Sequence, residues 1–247
     1  MGIALTSLQN LIYVKNKYPK ILKGSILQLG RQDIYFTQYE MAHEFQSKGM
    51  SLKAHKFENK INPWSKKMVI SDLDYFSSVG FEIIESLDFV PNEDPTYVHD
   101  LNEIVPSNLI QKFDCIFDGG TCEHVFDTNT AFSNIHKMLK PGGYIIHESP
   151  LNGFVDHGFY QIQPTTFFDI YTTNKYKIFE SFISHYISGD NIHQTPNNRF
   201  LYDKNLMNVG FDFPSGIAIT FFLAQKPMQE ASFIKPVQGA YKRHWSL

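Results

Sequence analysis

Residues 113–143 read FDCIFDGGTCEHVFDTNTAFSNIHKMLKPGG, which predicts a strand, a tight glycine turn, a helix and a glycine stop. The apolar, aromatic run Phe113–Phe117 is typical of a strand in the middle of a sheet. From about Thr128 to Lys140, apolar residues recur every three or four positions, as on the buried face of a helix. The next strand is expected at Tyr144–His147. A strand, a helix and a strand in this order form a βαβ unit, so the sheet should be parallel here.

Both sides of this segment continue the α/β pattern. Upstream, short apolar runs end at Gly30, at Asp88 and just before Asp100, with helical or loop-like stretches between them. Downstream, Lys177–Ile187 and Gly216–Ala224 are rich in β-branched and aromatic residues, which favour strands. The polar stretch between these two late strands fits an antiparallel pair at the end of the sheet.

The chain is predicted to form one domain over residues 1–247. Its core is expected at 24–148. Residues 149–175, rich in Gly, Pro, Asn and aromatic side chains, predict a lid or substrate loop, and 176–226 carry the terminal strands. Residues 51–67 are polar and basic and read as a loop or extension.

The composition limits which classes of protein the chain can belong to. The chain has 247 residues, of which 43% are hydrophobic and 15% aromatic, so a core can form without disulfides. A net charge of −3 suggests no nucleic-acid partner. The two cysteines make no disulfide framework. Neither a signal peptide nor an apolar run of about 18 residues is found, which predicts a cytoplasmic protein without a membrane span.

Acidic residues follow successive predicted strands. In parallel sheets, ligands bind beyond the carboxyl ends of the strands. Gly30 would follow the first strand there, Asp88 the second, Asp100 the third and Asp118 the fourth. An acid after the second strand can accept from both ribose hydroxyls, and one near the third can accept from an adenine amine. Acids at strand ends are also common loop residues, but together these positions favour a nucleoside ligand.

Five segments carry a family resemblance: GSILQLGRQD (24–33), FEIIESLDF (81–89), TYVHDLN (96–102), FDCIFDGGTCEHVFD (113–127) and NIHKMLKPGGYIIHESP (134–150). They resemble the class I S-adenosylmethionine-dependent methyltransferases, and the helix that ends in LKPGG before an apolar strand is the most specific piece. Residues 152–171, NGFVDHGFYQIQPTTFFDIY, are similar to a subgroup of small bacterial methyltransferase-like proteins. The resemblance implies a Rossmann-like α/β fold with a mostly parallel seven-stranded sheet, an antiparallel last strand and helices on both faces.

The resemblance also implies S-adenosylmethionine as cofactor. Asp88 would hold the ribose, and Asp100 and Leu101 would flank the adenine. Asp118 and Gly119 would lie near the amino-acid end or the reacting methyl group. The complete set of expected cofactor-binding residues is Gly30, Arg31, Asp33, Asp88, Asp100, Leu101, Asp118 and Gly119.

The first loop departs from the family pattern. An acid-x-Gly-x-Gly-x-Gly loop is usual, whereas the segment from Gln28 to Asp33 keeps one glycine, Gly30. Arg31 would pair with the cofactor's carboxylate and Asp33 with its ammonium group. The alternative is a non-catalytic binding or assembly protein that has lost the cofactor. The loop lacks the Gly-x-Gly-x-x-Gly turn of nicotinamide enzymes, and the absence of Gly-x-Ser-x-Gly argues against an α/β hydrolase.

Methyl transfer from a sulfonium is a direct displacement, so the enzyme must align the acceptor and sometimes remove a proton. His147, at the exit of the fifth strand, and His157, in the loop over the site, are the candidate catalytic residues. Alternatively, His147 is an ordinary strand residue and His157 only orders its loop. The expected acceptor is a small molecule or a sugar-like compound, contacted by Glu148, Asp156, Phe159 and Tyr160.

Two further features concern metals and partners. The spacing of His124, His136, His147 and His157 matches no compact ligand motif, so no metal site is predicted. An aromatic tail ends in Tyr241, His244 and Trp245 and suggests a possible homodimer.

Overall fold

The computed structural model describes residues 2–52, 57–187, 196, 198–202, 216–239 and 241. The helices are α1 Leu5–Lys17, α2 Gln38–Ser47, α3 Asp72–Val79, α4 Thr128–Met138 and α5 Pro164–Thr173. The strands are β1 Gly2–Ile3, β2 Ser25–Leu29, β3 Asp33–Ile34, β4 Asn59–Ile61, β5 Met68–Ile70, β6 Ile83–Asp88, β7 Tyr97–Val98, β8 Phe113–Asp118, β9 Leu139–Asn152, β10 Lys177–Tyr186, β11 Asn198–Leu201 and β12 Ile217–Gln225. None of the described helices combines the length and apolarity needed to cross a bilayer.

The main sheet has the order β11-β10-β12-β9-β8-β2-β6-β7. From β9 to β7 all neighbours are parallel, whereas β12 runs antiparallel to both β9 and β10. The predicted mostly parallel sheet with an antiparallel last strand is therefore confirmed. Among the described residues the main sheet has eight strands rather than the predicted seven, because β11 pairs with β10 at the edge. This strand has four residues, which is too short for a repeating apolar pattern.

Alternate residues of the central strands face opposite sides, and each side is covered by helices. One core joins Ile26 and Phe117 to residues of α1, α2 and α3. The other joins Leu27 and Ile116 to residues of α4 and α5. Helices therefore cover both faces, as predicted, and the carboxyl ends of β2, β6 and β8 lie along one edge between the two layers.

Three predicted boundaries shift. Within the stretch expected to be a loop, Asn59–Ile61 begins a hairpin with Met68–Ile70. The fifth strand continues to Asn152 because its last residues pair with β12. Since α5 begins at Pro164, the expected lid narrows to an irregular loop of residues 153–163, called here the covering loop. Of the predicted aromatic tail, His244 and Trp245 lie outside the described residues.

Candidate functional site

A cavity of about 590 Å³ lies beyond the carboxyl ends of β2, β6 and β7. We call it the strand-end cavity. Five of the predicted cofactor-binding residues line it: Gly30, Arg31, Asp88, Asp100 and Leu101. Gln32, Thr121, His124 and His157 also border it. The topology thus brings together the acids that the sequence placed after separate strands.

Gly30 has a backbone that requires glycine. Its φ is +69°, in the left-handed region, and a Cβ there would lie 2.9 Å from the Thr121 hydroxyl oxygen. Its N–H donates to the Leu87 carbonyl at 2.7 Å, while the Thr121 hydroxyl donates to the Leu29 carbonyl. These contacts hold the loop after β2 between Leu87, in β6, and Thr121, in the segment that follows β8.

Asp88 and Asp100, two of the acids that line the strand-end cavity, accept hydrogen bonds from nearby residues in the sequence. Asp88 accepts from the N–H of Arg31 at 3.1 Å through Oδ2 and from the N–H of Val90 at 3.2 Å through Oδ1. Asp100 Oδ1 accepts from the backbone and side chain of Asn102 at 2.9 and 2.8 Å. A carboxylate offers about four lone-pair sites, so both groups keep acceptor capacity for a ligand.

The charged side chains of the first loop are used inside the protein. Arg31 Nε lies 3.3 Å from Asp72 Oδ2, and its Nη1 donates to the carbonyls of Glu93 and Asp94 at 3.0 and 2.7 Å. Asp33 accepts from the indole N–H of Trp64 at 3.0 Å and does not line the strand-end cavity. Asp72 and Trp64 are thus partners of Arg31 and Asp33 within the protein, and the expected pairings with the cofactor's carboxylate and ammonium stay predictions.

Gln32 occupies the space where the family's loop has its second glycine. Its Nε2 donates to the carbonyls of Leu29 and Gly30 at 2.9 and 3.1 Å. Its Oε1 is buried and accepts no hydrogen bond from the described residues. This oxygen packs on Gly119, where a Cβ would lie 2.6 Å from it. Sequence reasoning missed Gln32, although a long side chain at a usual glycine position was the signal.

Asp118 and His147 form a fully buried pair. Asp118 Oδ1 accepts from the N–H groups of Thr121 and Cys122, and Oδ2 lies 2.6 Å from His147 Nδ1. His147 Nε2 is 2.6 Å from the Tyr171 hydroxyl. Burial raises the pKa of Asp118, but the hydrogen bonds from His147 and the backbone outweigh it, and the pKa is lowered.

Neither member of that pair borders the strand-end cavity or the second cavity described next. Both nitrogens of the imidazole are engaged within the core, and the pair fixes the turn that presents Gly119 and Gly120. The roles expected for Asp118 at the cofactor and for His147 as a proton acceptor stay predictions.

A second cavity, of about 170 Å³, lies beside the first. We call it the inner cavity. Its lining includes the predicted Gly119, Glu148 and His157, and also Gly120, Glu123 and Phe154. The sequence did not indicate four further lining residues: Ser7, Asn10, Tyr35 and Tyr186. Ser7 and Asn10 belong to α1, and the spacing of its apolar residues does not distinguish these two polar residues from its other polar positions.

Glu148 is a buried acid of the inner cavity. Its Oε1 accepts from Asn10 Nδ2 at 2.9 Å. Burial raises the pKa of Glu148, and hydrogen bonds from Asn10 and Ser7 oppose this increase. The group can therefore hold a proton in the folded protein or accept hydrogen bonds from a bound molecule.

Four residues of the covering loop were predicted to act in catalysis or to contact the substrate, and one of them lines the cavities. His157 lines both of them. Asp156 has a φ of +59° and lines neither. Phe159 is 65% exposed and packs edge-on against Phe126, while Tyr160 donates to the carbonyl of that residue at 2.9 Å. Asp156, Phe159 and Tyr160 are exposed and lie outside the lining of both cavities, and their expected substrate contacts stay predictions.

Glu123 lies under His157. Its carboxyl group is fully buried, and neither oxygen has a hydrogen-bond partner among the described residues. Its Oε1 is 3.9 Å from His157 Nε2, and the rings of His157 and His124 are 5.0 Å apart. Burial and then the charge of Asp118 raise the pKa of Glu123 well above its ordinary value, whereas burial lowers the pKa of both histidines.

Residues 89–147 match a family described as "Methyltransferase domain". No curated protein matches the chain. Among solved structures, the chain is similar to the N-methyltransferase NodS of Bradyrhizobium japonicum, in complex with S-adenosylhomocysteine, at 12% identity and a TM-score of 0.46, over 89% of this chain and 85% of that one.

Two other solved structures are similar. A 1,6-didemethyltoxoflavin-N1-methyltransferase of Burkholderia thailandensis has 9% identity and a TM-score of 0.44, over 89% of this chain and 78% of that one. A SAM-dependent methyltransferase of Archaeoglobus fulgidus has 12% identity and a TM-score of 0.44, over 89% and 95%. The family match covers residues 89–147, which include β8, α4 and most of β9, so this segment of the chain is similar to a methyltransferase domain.

Proposed function

We propose that this protein transfers a methyl group from S-adenosylmethionine to a small-molecule or sugar-like acceptor by direct displacement. The observation that carries the proposal is the pair of adjacent cavities bordered by one residue, His157. The strand-end cavity would hold the cofactor and the inner cavity the acceptor. The methyl group would then pass between them beside His157.

The residues of the strand-end cavity fit the cofactor. Its volume of about 590 Å³ falls within the roughly 300–1,000 Å³ of ligand pockets. Asp88 and Asp100 offer carboxylate oxygens to ribose hydroxyls and an adenine amine, and Leu101 offers an apolar contact. Gly30 lets a ligand approach the backbone. When bound, the cofactor supplies an electrophilic methyl group on a sulfonium.

Gln32 extends this fit to the amino-acid end. Its buried Oε1 lacks a partner among the described residues, and a buried acceptor without a hydrogen bond costs about 1–3 kcal/mol. An ammonium group of the cofactor would satisfy it. This role is an alternative to the one that the sequence suggested for Asp33.

The inner cavity supports a small acceptor. A cavity of about 150 Å³ holds a benzene molecule, so about 170 Å³ accommodates one ring-sized group. Glu148 and Asn10 supply polar contacts for hydroxyl or amine groups of that ring, and Phe154 supplies an apolar wall. The lining is mostly buried, which keeps water away from a reacting pair.

The experiment is to incubate the protein with S-adenosylmethionine and a panel of small polyols, sugars and amines, and to follow S-adenosylhomocysteine release and the methylated product by mass spectrometry. An acceptor-dependent product that disappears in Asp88→Ala supports the proposal. If the protein binds the cofactor but transfers methyl groups to larger substrates only, the acceptor class is wrong. If it binds no cofactor, the non-catalytic alternative is correct.

A further inference from the structure

We propose that Glu123, His124 and His157 form a binding site for a divalent transition-metal ion of the zinc or cobalt class, between the two cavities. The three side chains each offer one ligand atom, and these atoms all lie within 4.8 Å of one another. Ligands that share one ion at about 2.1 Å lie roughly 3–4 Å apart. A side-chain displacement of the order of 1 Å therefore closes the site.

The buried carboxyl group of Glu123 is the strongest argument for a ligand. A carboxyl group that is fully buried without hydrogen bonds is costly, and both oxygens of Glu123 are in that state among the described residues. One of them already points toward His157 Nε2, at 3.9 Å. A cation would satisfy the carboxylate from the side where the two imidazoles lie.

The backbone holds the ligands in place without the ion. The N–H of Tyr160 donates to the Glu123 carbonyl at 3.1 Å, which ties the covering loop to the segment after β8. Gly158 packs directly on Glu123, since a Cβ there would lie 2.9 Å from the same carbonyl oxygen. His157 is thereby kept over Glu123, although 34 positions separate the two residues in the sequence.

Two imidazoles and one carboxylate leave open positions on the ion, as in catalytic rather than structural metal sites. Glu123 and His157 line the inner cavity, and His124 and His157 line the strand-end cavity. An acceptor hydroxyl in the inner cavity would reach an open position, and metal binding lowers the pKa of such an oxygen. This preference for hydroxyl acceptors depends on the proposed function, whereas the binding of the ion does not.

The test is a Co²⁺ titration of the full chain, followed by the visible absorption of the ion and by calorimetry. We expect one ion per chain. Glu123→Gln and His157→Ala should each weaken binding by more than about tenfold, because even changes behind the ligands cost about 10–100-fold. His43→Ala, a change of an exposed histidine on α2, should bind as the wild type does.

Three outcomes would overturn the site. They are the absence of saturable binding, unchanged affinity in Glu123→Gln, and a sulfur-to-cobalt band removed by Cys122→Ser. The last would assign the ion to the buried group of Asp118, Cys122 and His147. Glu123→Gln keeps the side chain's shape, and a circular-dichroism melt checks its fold. Asp88→Ala should keep the cobalt site while losing the cofactor, so failure of the metal proposal and of the proposed function are distinguishable.

Discussion

The Nε2 atom of His157 lies 3.9 Å from Glu123 Oε1, and this contact joins the covering loop to the segment that follows β8. The same histidine borders both cavities. Whatever binds in one cavity therefore meets a side chain that also faces the other. Substitutions can distinguish the residues that contact a ligand in these cavities from the residues that stabilise the surrounding fold.

Asp88→Ala should weaken the binding of S-adenosylhomocysteine by one or two hydrogen bonds. Each is worth about 1.5–3 kcal/mol if the acceptor is charged, and calorimetry measures the loss. Glu82→Ala is the matched control, because Glu82 is exposed near the opposite end of the same strand. Equal affinities for the two variants would exclude Asp88 from the cofactor site.

Gln32→Met should weaken the binding of S-adenosylhomocysteine by about 1.5–3 kcal/mol, which is the contribution of a hydrogen bond to a charged group. The change keeps the side-chain length but removes the buried Oε1. Methylthioadenosine lacks the amino-acid part of the cofactor, so its affinity should stay unchanged. A similar loss for both ligands would mean that Gln32 only shapes the first loop.

Gly30→Ala should destabilise the protein more than Gly49→Ala does. Both glycines have a φ of +69°, so the backbone strain of alanine is shared. A Cβ at position 30 meets Thr121, whereas nothing lies within 4 Å of one at position 49. Strain of this kind costs about 1–3 kcal/mol, and the difference between the variants in urea unfolding reports the collision. Equal values would show that the loop adapts.

His147→Leu should cost at least about 1–3 kcal/mol of folding free energy, because it leaves a buried oxygen of Asp118 without its hydrogen-bond partner. His157→Leu, at a partly exposed position, should cost far less. Urea unfolding at neutral pH measures both. A small loss for His147→Leu would favour the hypothesis that this residue serves the reaction.

Glu148→Gln should stabilise the protein at neutral pH but not at acidic pH. Burial raises the pKa of Glu148 in the folded state. As the pH rises above the ordinary carboxyl value of about 4.3, the unfolded chain releases this proton and the folded chain keeps it, so stability falls until the folded pKa is passed. The glutamine removes that loss. Parallel unfolding curves of the two proteins from pH 4 to 7 would contradict the assignment.

The sequence predicted the features that repeat along the chain. The spacing of apolar residues predicted the helices and the main strands. The position of acidic residues directly after predicted strands indicated Asp88 and Asp100 as candidate ligand-binding residues. Interactions between distant residues were not predictable in this way. Arg31 was expected to face a ligand. Its partner Asp72 lies 41 positions away in the sequence, and no local pattern indicates that the two side chains meet.

The same limit explains the missed metal-binding candidates. His124 and His157 are far apart in the sequence. They lie close to each other and to Glu123 because the covering loop folds back over the segment that follows β8. The polar residues of α1 at the inner cavity were missed for a similar reason. A helix that covers a sheet edge gives no local signal for a polar face that meets a cavity. The edge strand β11 was not predicted because its four residues, Asn198–Leu201, are too few to show a repeating apolar pattern.

The most direct test of the central claim is a thermal-shift titration with S-adenosylmethionine and S-adenosylhomocysteine, with NAD as the control ligand. A ligand at about 100 times its dissociation constant stabilises a protein by about 2.7 kcal/mol. We predict a saturable rise in melting temperature with both sulfur nucleosides and none with NAD, and loss of the rise in Asp88→Ala. No rise with either nucleoside would contradict the account and favour a non-catalytic protein of this fold.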